Sequence, residues 1–346
     1  MMDTNGNMNT PGGNASDDAV IPSQSHPYEA LKPDVVLAAV DSTGLLTDGR
    51  LLALNSYENR VYQVGIEDAT PVVVKFYRPE RWSDAQILEE HSFAIELADL
   101  EIPVVAPLAF DGRTLLEHGG FRFAVFPRRG GHPPELENPE HLEMLGRFLG
   151  RIHAAGRAKR FEHRDRLTPQ SGRDSIDSVL RHTVPDYLQD SFQATAIELM
   201  QEVDNAFEAH GPMNTLRLHG DCHPGNILWT DHGPHFVDLD DCITGPAIQD
   251  TWMLLSGTRD DMAKQLRHFL EGYEQFTMFD PTELHLIEPL RALRMLNYSA
   301  WLARRWHDPA FPQAFPWFNL PRYWEDQLLT YREQIEKLAE PPPKLV

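Results

Sequence analysis

The apolar positions of this chain fall into two patterns that divide it roughly in three. Residues 61–66 (VYQVGI) and 72–77 (VVVKFY) are dense in β-branched and aromatic side chains. The turn-forming EDATP parts them, which predicts paired strands. Residues 33–40 read as a short helix before them. After them the period lengthens: Ile87, His91, Ala94 and Ala98 share one face of a helix over residues 83–100. Ser83 and Gln86 give that helix a capping box. Strands are expected again at 104–110 and 121–126, with Asp111-Gly112 and Gly119-Gly120 as turns.

Beyond the loop RRGGHPPELENPE the helical period dominates. Residues 142–155 form one helix, two more fit between 176 and 209, and 286–306 form another. A strand–turn–strand interrupts them around residues 219–237. The polar or aromatic stretches 160–178, 258–284 and 308–325 read as a loop and helix connections. The expected fold class is α+β, with a small β-rich lobe over 26–127 and a larger, mostly helical lobe over 128–340. Residues 1–25 carry too little apolar surface to fold and are expected to be a disordered tail. PPP at 341–343 opens a second tail, 341–346.

At 346 residues the chain is long enough for two lobes with sizeable cores. Its 31 basic against 52 acidic residues give a formal charge of −21. Such a surface repels phosphate backbones and anionic bilayers, so neither a nucleic acid nor a membrane is an expected partner. The only cysteines, Cys222 and Cys242, exclude a disulfide framework and fit a reducing cytoplasm. No apolar run approaches the ~18 residues of a membrane span. The N-terminus shows neither the basic start nor the apolar stretch of a secretory signal. A monomer is expected.

The chemistry concentrates in HGDCHPGNILW, which begins at His219, and FVDLDD, which begins at Phe236. The carboxylate of Asp221 is suited to orient a substrate hydroxyl and accept its proton. Asn226 offers a neutral oxygen and Asp238 a charged one, both hard ligands that suit Mg²⁺. A hairpin around DHGP would bring the two to one end of a small sheet. Zinc on His219, Cys222 and His223 is the rival, without a second ligand cluster to support it. Asp250 in GPAIQD either braces this loop or caps a helix.

Together HGDCHPGNILW and FVDLDD resemble the catalytic and metal-binding loops of the aminoglycoside-phosphotransferase-like kinases, relatives of eukaryotic protein kinases. The resemblance implies a bilobal protein-kinase-like fold with ATP and Mg²⁺ in the cleft. It makes Asp221 the catalytic base and Asn226 and Asp238 the metal ligands, Asp238 being catalytic as well. His219 and His223 become supports of the loop. Lys75 in VVVKFY stands where the family keeps the lysine that binds the ATP α- and β-phosphates. Glu89 and Glu90 are available to pair with it, and Glu90 is preferred because Phe93, Ala94 and Leu97 follow at family-like spacing. LNSYENRV (54–61) occupies the nucleotide-loop position but holds no glycine. Side chains would then supply the donors, with Ser56 expected to contact ATP. Phe126 and Pro127 fall at the hinge.

Arg291, Arg294, Tyr298, Trp301 and Arg305 recur on one face of the 286–306 helix. With NSYENRVYQ, KFYRPERW and GPAIQDTWMLL, that helix resembles a bacterial serine/threonine protein kinase of this fold. The resemblance implies protein Ser/Thr acceptors, autophosphorylation and a role in stress response. The alternative is a small-molecule kinase acting on an amino alcohol, a sugar or an aminoglycoside. The intact set Lys75, Asp221, Asn226 and Asp238 counts against a pseudokinase.

Overall fold

The computed structural model describes residues 26–345. The tail expected over 1–25 lies outside the described residues.

Five antiparallel strands form the small lobe in the order β1-β2-β3-β5-β4. They are β1 (Thr47–Ala53), β2 (Arg60–Ile66), β3 (Val72–Phe76), β4 (Leu116–His118) and β5 (Phe121–Pro127). The two-residue alternation of a strand sorts the side chains. Val72, Val74 and Phe76 join Phe121, Phe123 and Val125 in a core on one face. Helix α1 (Pro33–Asp41) contributes Val36, Ala39 and Val40 to that core. Lys75 opposes Ala124 in the register and Ala124 packs with Tyr77 and Ile87, so the lysine turns to the other face. There lies α2 (Asp84–Asp99), opened by the expected Ser83–Gln86 capping box.

The expected strand at 104–110 does not form. Val104 and Phe110 make only isolated bridges. Pro103 and Pro107 lack the N–H a ladder requires. The segment instead follows the strand that ends at Phe236, with Val105 N–H donating to Phe236 O at 2.9 Å.

The large lobe is helical around two short two-stranded sheets. Helices α3 (Pro139–Ala158), α4 (Gln170–His182) and α5 (Gln189–His210) come first. Strands β6 (Leu216–Leu218), β7 (Ile227–Thr230), β8 (Gly233–Phe236) and β9 (Ile243–Gly245) pair as β6-β9 and β7-β8. Then follow α6 (Ile248–Thr251), α7 (Arg259–Tyr273), α8 (Ile287–Arg305), α9 (Ala310–Ala314) and α10 (Pro321–Leu338). Phe93, Ala94 and Leu97 of α2 share the large core with these helices, so α2 joins the two lobes.

Three loop expectations are corrected. Helix α4 begins inside the stretch read as loop, because part of its inward face is polar: buried Ser175 donates to Asn297 Oδ1 of α8 at 2.8 Å. Helix α7 occupies a stretch read as a connection. A Thr258–Asp261 capping box starts it, and Met262, Leu266, Phe269 and Tyr273 are buried at helical spacing behind its acidic first turn. The connection expected at 308–325 likewise contains α9 and the start of α10. Among the described residues no helix is long and apolar enough to cross a membrane.

Candidate active site

Lys75 is buried and meets carboxylates from both lobes. Its Nζ lies 3.3 Å from Glu90 Oε1, 2.9 Å from Asp238 Oδ1 and 3.5 Å from Asp240 Oδ1. Burial works to discharge the ammonium, but Asp238, Glu90 and Asp240 outweigh it and hold Lys75 well above the ordinary lysine range. Of the two glutamates considered for Lys75, Glu90 faces it. Glu89 instead caps the chain below, accepting the backbone N–H groups of Glu162 (2.5 Å), His163 (2.8 Å) and Arg164 (2.8 Å).

Opposite Lys75, the loop between β6 and β7 is held from beneath. Asp250, fully buried, accepts the backbone N–H groups of His219 and Gly220, both at 2.8 Å. His153 Nε2 lies 3.2 Å from the same carboxylate. Asp250 therefore braces the loop. His219 Nε2 donates to Val237 O at 2.9 Å, tying this loop to the strand end that carries Asp238. Gly220 has φ +88°, and a Cβ there would stand 2.0 Å from Asp241 O.

Asn226 Nδ2 donates to the Asp221 carbonyl at 3.0 Å, which leaves its Oδ1 as the free acceptor. Asp238 sits in the left-handed region at φ 61°, ψ 63°, a conformation a non-glycine residue keeps only where its surroundings impose it. Its side chain is half exposed while Oδ1 faces Lys75. A neutral and a charged oxygen on adjoining loops suit a hard cation that completes its shell with phosphate oxygens and water.

The zinc alternative finds no support. Cys222 is packed in the core and His219 is spent on Val237. Among the described residues no group of three or more His, Cys, Asp or Glu side chains is arranged to hold a metal. Both cysteines are free and buried, and burial pushes each thiol up, away from the reactive thiolate.

Asp221 receives a hydrogen bond from Arg294 of α8, and His223 Nε2 lies 3.5 Å from its Oδ2. Burial favours the neutral acid, yet the His223 hydrogen bond and the Arg294 charge outweigh it and hold the carboxyl well below the ordinary range. The Ser56 hydroxyl donates within its own loop to Asn59 O at 3.2 Å. Among the described residues no hydrogen bond joins Ser56 to Lys75 or Asp221.

Several charged residues of the site were not singled out from the sequence. Arg81 donates to Asp240 and, at 2.5 Å, to Asp241, neutralising the carboxylates that follow Asp238. Arg164 donates to the carbonyls of Asp240 and, at 2.9 Å, of Cys242. Only the two arginines of RPERW, close behind Lys75, hinted at such a role.

A five-stranded lobe bearing a buried lysine, facing a helical lobe with an Asp–Asn–Asp loop pair, defines a phosphotransferase of the kinase-like fold. Residues 50–287 match the phosphotransferase enzyme family, and the chain belongs to it. It is 49% identical over 322 residues to stress response kinase A of Escherichia coli K12, covering 92% of this chain and 97% of that protein. It is 47% identical over 320 residues to the serine/threonine protein kinase RdoA of Salmonella typhimurium LT2, again with 92% and 97% covered. Among solved structures it is similar to amicoumacin kinase hAmiN in complex with AMP-PNP, Ca²⁺ and Ami. That match has TM-score 0.68 at 21% identity and covers 89% and 94% of the two chains. A microcompartment-associated aminopropanol kinase matches with TM-score 0.66 at 17% identity over 90% and 100%. These two likenesses establish the fold.

Proposed function

We propose that this chain is an ATP-dependent serine/threonine protein kinase that acts in a bacterial stress response and phosphorylates itself as well as other proteins. The observation that carries the choice of acceptor is the 47% identity, along nearly the whole of both chains, to a relative named as a serine/threonine protein kinase. In this reading residues 26–127 hold the nucleotide and 128–340 supply the catalytic loop and acceptor surface. Lys75, kept charged and oriented by Glu90, engages the α- and β-phosphates, with Ser56 a further contact. Asp221 orients the acceptor hydroxyl and takes its proton. Asn226 Oδ1 and Asp238 would hold Mg²⁺, which supplies charge neutralisation at the phosphates.

The small-molecule kinases of this fold are the second reading. Arg294 weighs against cationic amine acceptors, because it sets a fixed positive charge on Asp221 where such an amine would have to approach. The formal charge of −21 and the buried free thiols fit a monomer working in the cytoplasm on protein partners rather than on nucleic acid or membranes.

The test is incubation of the purified chain with labelled ATP and Mg²⁺, alone, with dephosphorylated casein and with a panel of hydroxylated metabolites. Label on protein Ser/Thr, lost in Asp221→Ala, is the expected result. Label confined to small molecules would overturn the protein-kinase reading while leaving the phosphotransferase intact.

A further inference from the structure

The loop joining β1 to β2 is fastened by ion pairs to the far lobe. Glu58, in that loop, accepts hydrogen bonds from two residues of α8: Trp301 Nε1 at 2.6 Å and Arg305 Nη2 at 2.8 Å. From its own lobe Arg78 Nε stands 3.2 Å from Glu58 Oε1, and Arg81 Nε stands 3.7 Å from it. Just before α9, buried Asp308 takes Arg60 Nη2 on both oxygens at 2.9 Å and Arg78 Nη2 at 2.7 Å. The Tyr57 ring meets Phe315 edge-on at 4.9 Å.

The same network runs on into the lysine pocket. Arg81 donates to Asp240, whose Oδ1 lies 3.5 Å from Lys75 Nζ. Charges therefore alternate without a break through Asp308, Arg78, Glu58, Arg81, Asp240 and Lys75. Buried charges that are all answered hold one geometry firmly, and deleting one leaves its partners unpaired in a low-dielectric interior. Residues 54–61 hold no glycine. Side-chain anchoring therefore fixes the loop where backbone freedom does not.

We propose that Glu58 is a positioning residue for phosphoryl transfer. Held by Trp301 and Arg305 of the acceptor-side helix, it sets the β1–β2 loop over the terminal phosphate, and Arg81 ties that setting to the Lys75 pocket. The inference rests on the nucleotide reading above. It names Glu58 and α8 as the link between the acceptor side and the nucleotide side, since α8 also carries Arg294 onto Asp221.

Calorimetric binding of a non-hydrolysable ATP analogue and of ADP, each with Mg²⁺, tests it on Glu58→Gln, Arg305→Gln and the double variant. Glu58→Gln is expected to bind the ATP analogue about fivefold more weakly and ADP within about twofold of wild type. The double variant should be no worse than the poorer single one, because the two residues act as a unit. Equal loss of both nucleotides, wild-type binding of both, or additive single effects would overturn it. Should Glu58→Gln not fold, Trp301→Phe removes one hydrogen bond to Glu58 and must show the same selective loss in smaller measure. The nucleotide reading has its own arm: wild type that binds neither nucleotide, or Lys75→Ala that binds both normally, sinks that reading and the Glu58 role with it. A selective failure in the Glu58 variants alone leaves the nucleotide reading standing.

Discussion

Arg294 of α8 donates to Oδ1 of Asp221, so the carboxylate proposed to receive the acceptor proton is already engaged by a helix of the large lobe. Burial raises the carboxyl's affinity for a proton, but His223 and Arg294 together lower it by more. Removing the guanidinium should let the pKa climb. In Arg294→Ala the acid limb of the kcat/KM profile is expected to move to higher pH, so activity fades sooner as pH falls. An acid limb that stays put would remove Asp221 from the proton transfer.

Besides Asp238, Lys75 has Glu90 at 3.3 Å and Asp240 at 3.5 Å to answer its charge. Asp238→Asn should therefore fold, with little change in thermal midpoint. Its charge is proposed to act on the cation and transferring phosphate, so phosphoryl transfer should fall by about 10²–10³-fold or more. Single-turnover phosphorylation beside a thermal scan separates the two effects, and near-wild-type transfer would cancel the metal role.

Asp250 satisfies two backbone N–H groups of the loop between β6 and β7 and sits beside His153 without any exposure. Asp250→Ala strands those donors in the interior and should cost about 3 kcal/mol. With the loop loosened, kcat is expected to drop more than KM for ATP, because Lys75 is held by other residues. Urea unfolding and steady-state kinetics check both parts. A variant of full stability and full kcat would reduce Asp250 to a bystander.

The elements that the sequence made legible are those whose signal is local. Val72 to Phe76 announce a strand by branching alone, Ser83 and Gln86 announce α2, and the proposed catalytic and metal-binding residues flank one hairpin. The family-like spacing of Phe93, Ala94 and Leu97 pointed to Glu90 rather than Glu89, and Glu90 is the one that faces Lys75. The expectation for Ser56 rested on its place in the loop, and its hydroxyl is bonded within that loop. Helix α7 was hidden by its acidic first turn, α4 by a polar residue buried through a hydrogen bond. The ionic network had no local sign, since Arg60 and Asp308 lie 248 positions apart and Glu58 and Arg305 lie 247 apart. No short-range period records pairs of that kind.

Helices α3 and α7 approach so closely that only glycine fits between them. A Cβ on Gly146 would stand 1.8 Å from Phe269 O, and one on Gly272 would stand 1.9 Å from Glu143 O. Both obstacles are backbone of a packed helix and cannot swing aside. Alanine in a helix gains about 1 kcal/mol over glycine, while forcing helices apart costs about 1–3 kcal/mol or more. With contacts this short the clash should win, so Gly146→Ala is expected to lower stability in a denaturant titration. A stabilised variant would show that the helices stand further apart.

His91 of α2 is buried between Tyr77 OH at 2.7 Å and Thr114 Oγ1 at 2.8 Å. Burial, reinforced by the Lys75 charge, pushes its pKa from 6.5 down to about 3. The folded protein therefore keeps His91 neutral at pH values where the unfolded chain protonates it. The sign follows directly: this stabilisation is complete above pH 6.5 and drains away as pH falls from there toward 3. Carboxylates titrate at the lower end of that range, so the contribution is isolated by comparison with His91→Gln, whose amide can serve both neighbours. Between pH 6.5 and 5 the wild type should lose stability relative to the variant with a slope that steepens toward about 1.4 kcal/mol per pH unit. Urea midpoints across that interval measure it, and parallel slopes in the two proteins would mean that His91 charges inside the fold.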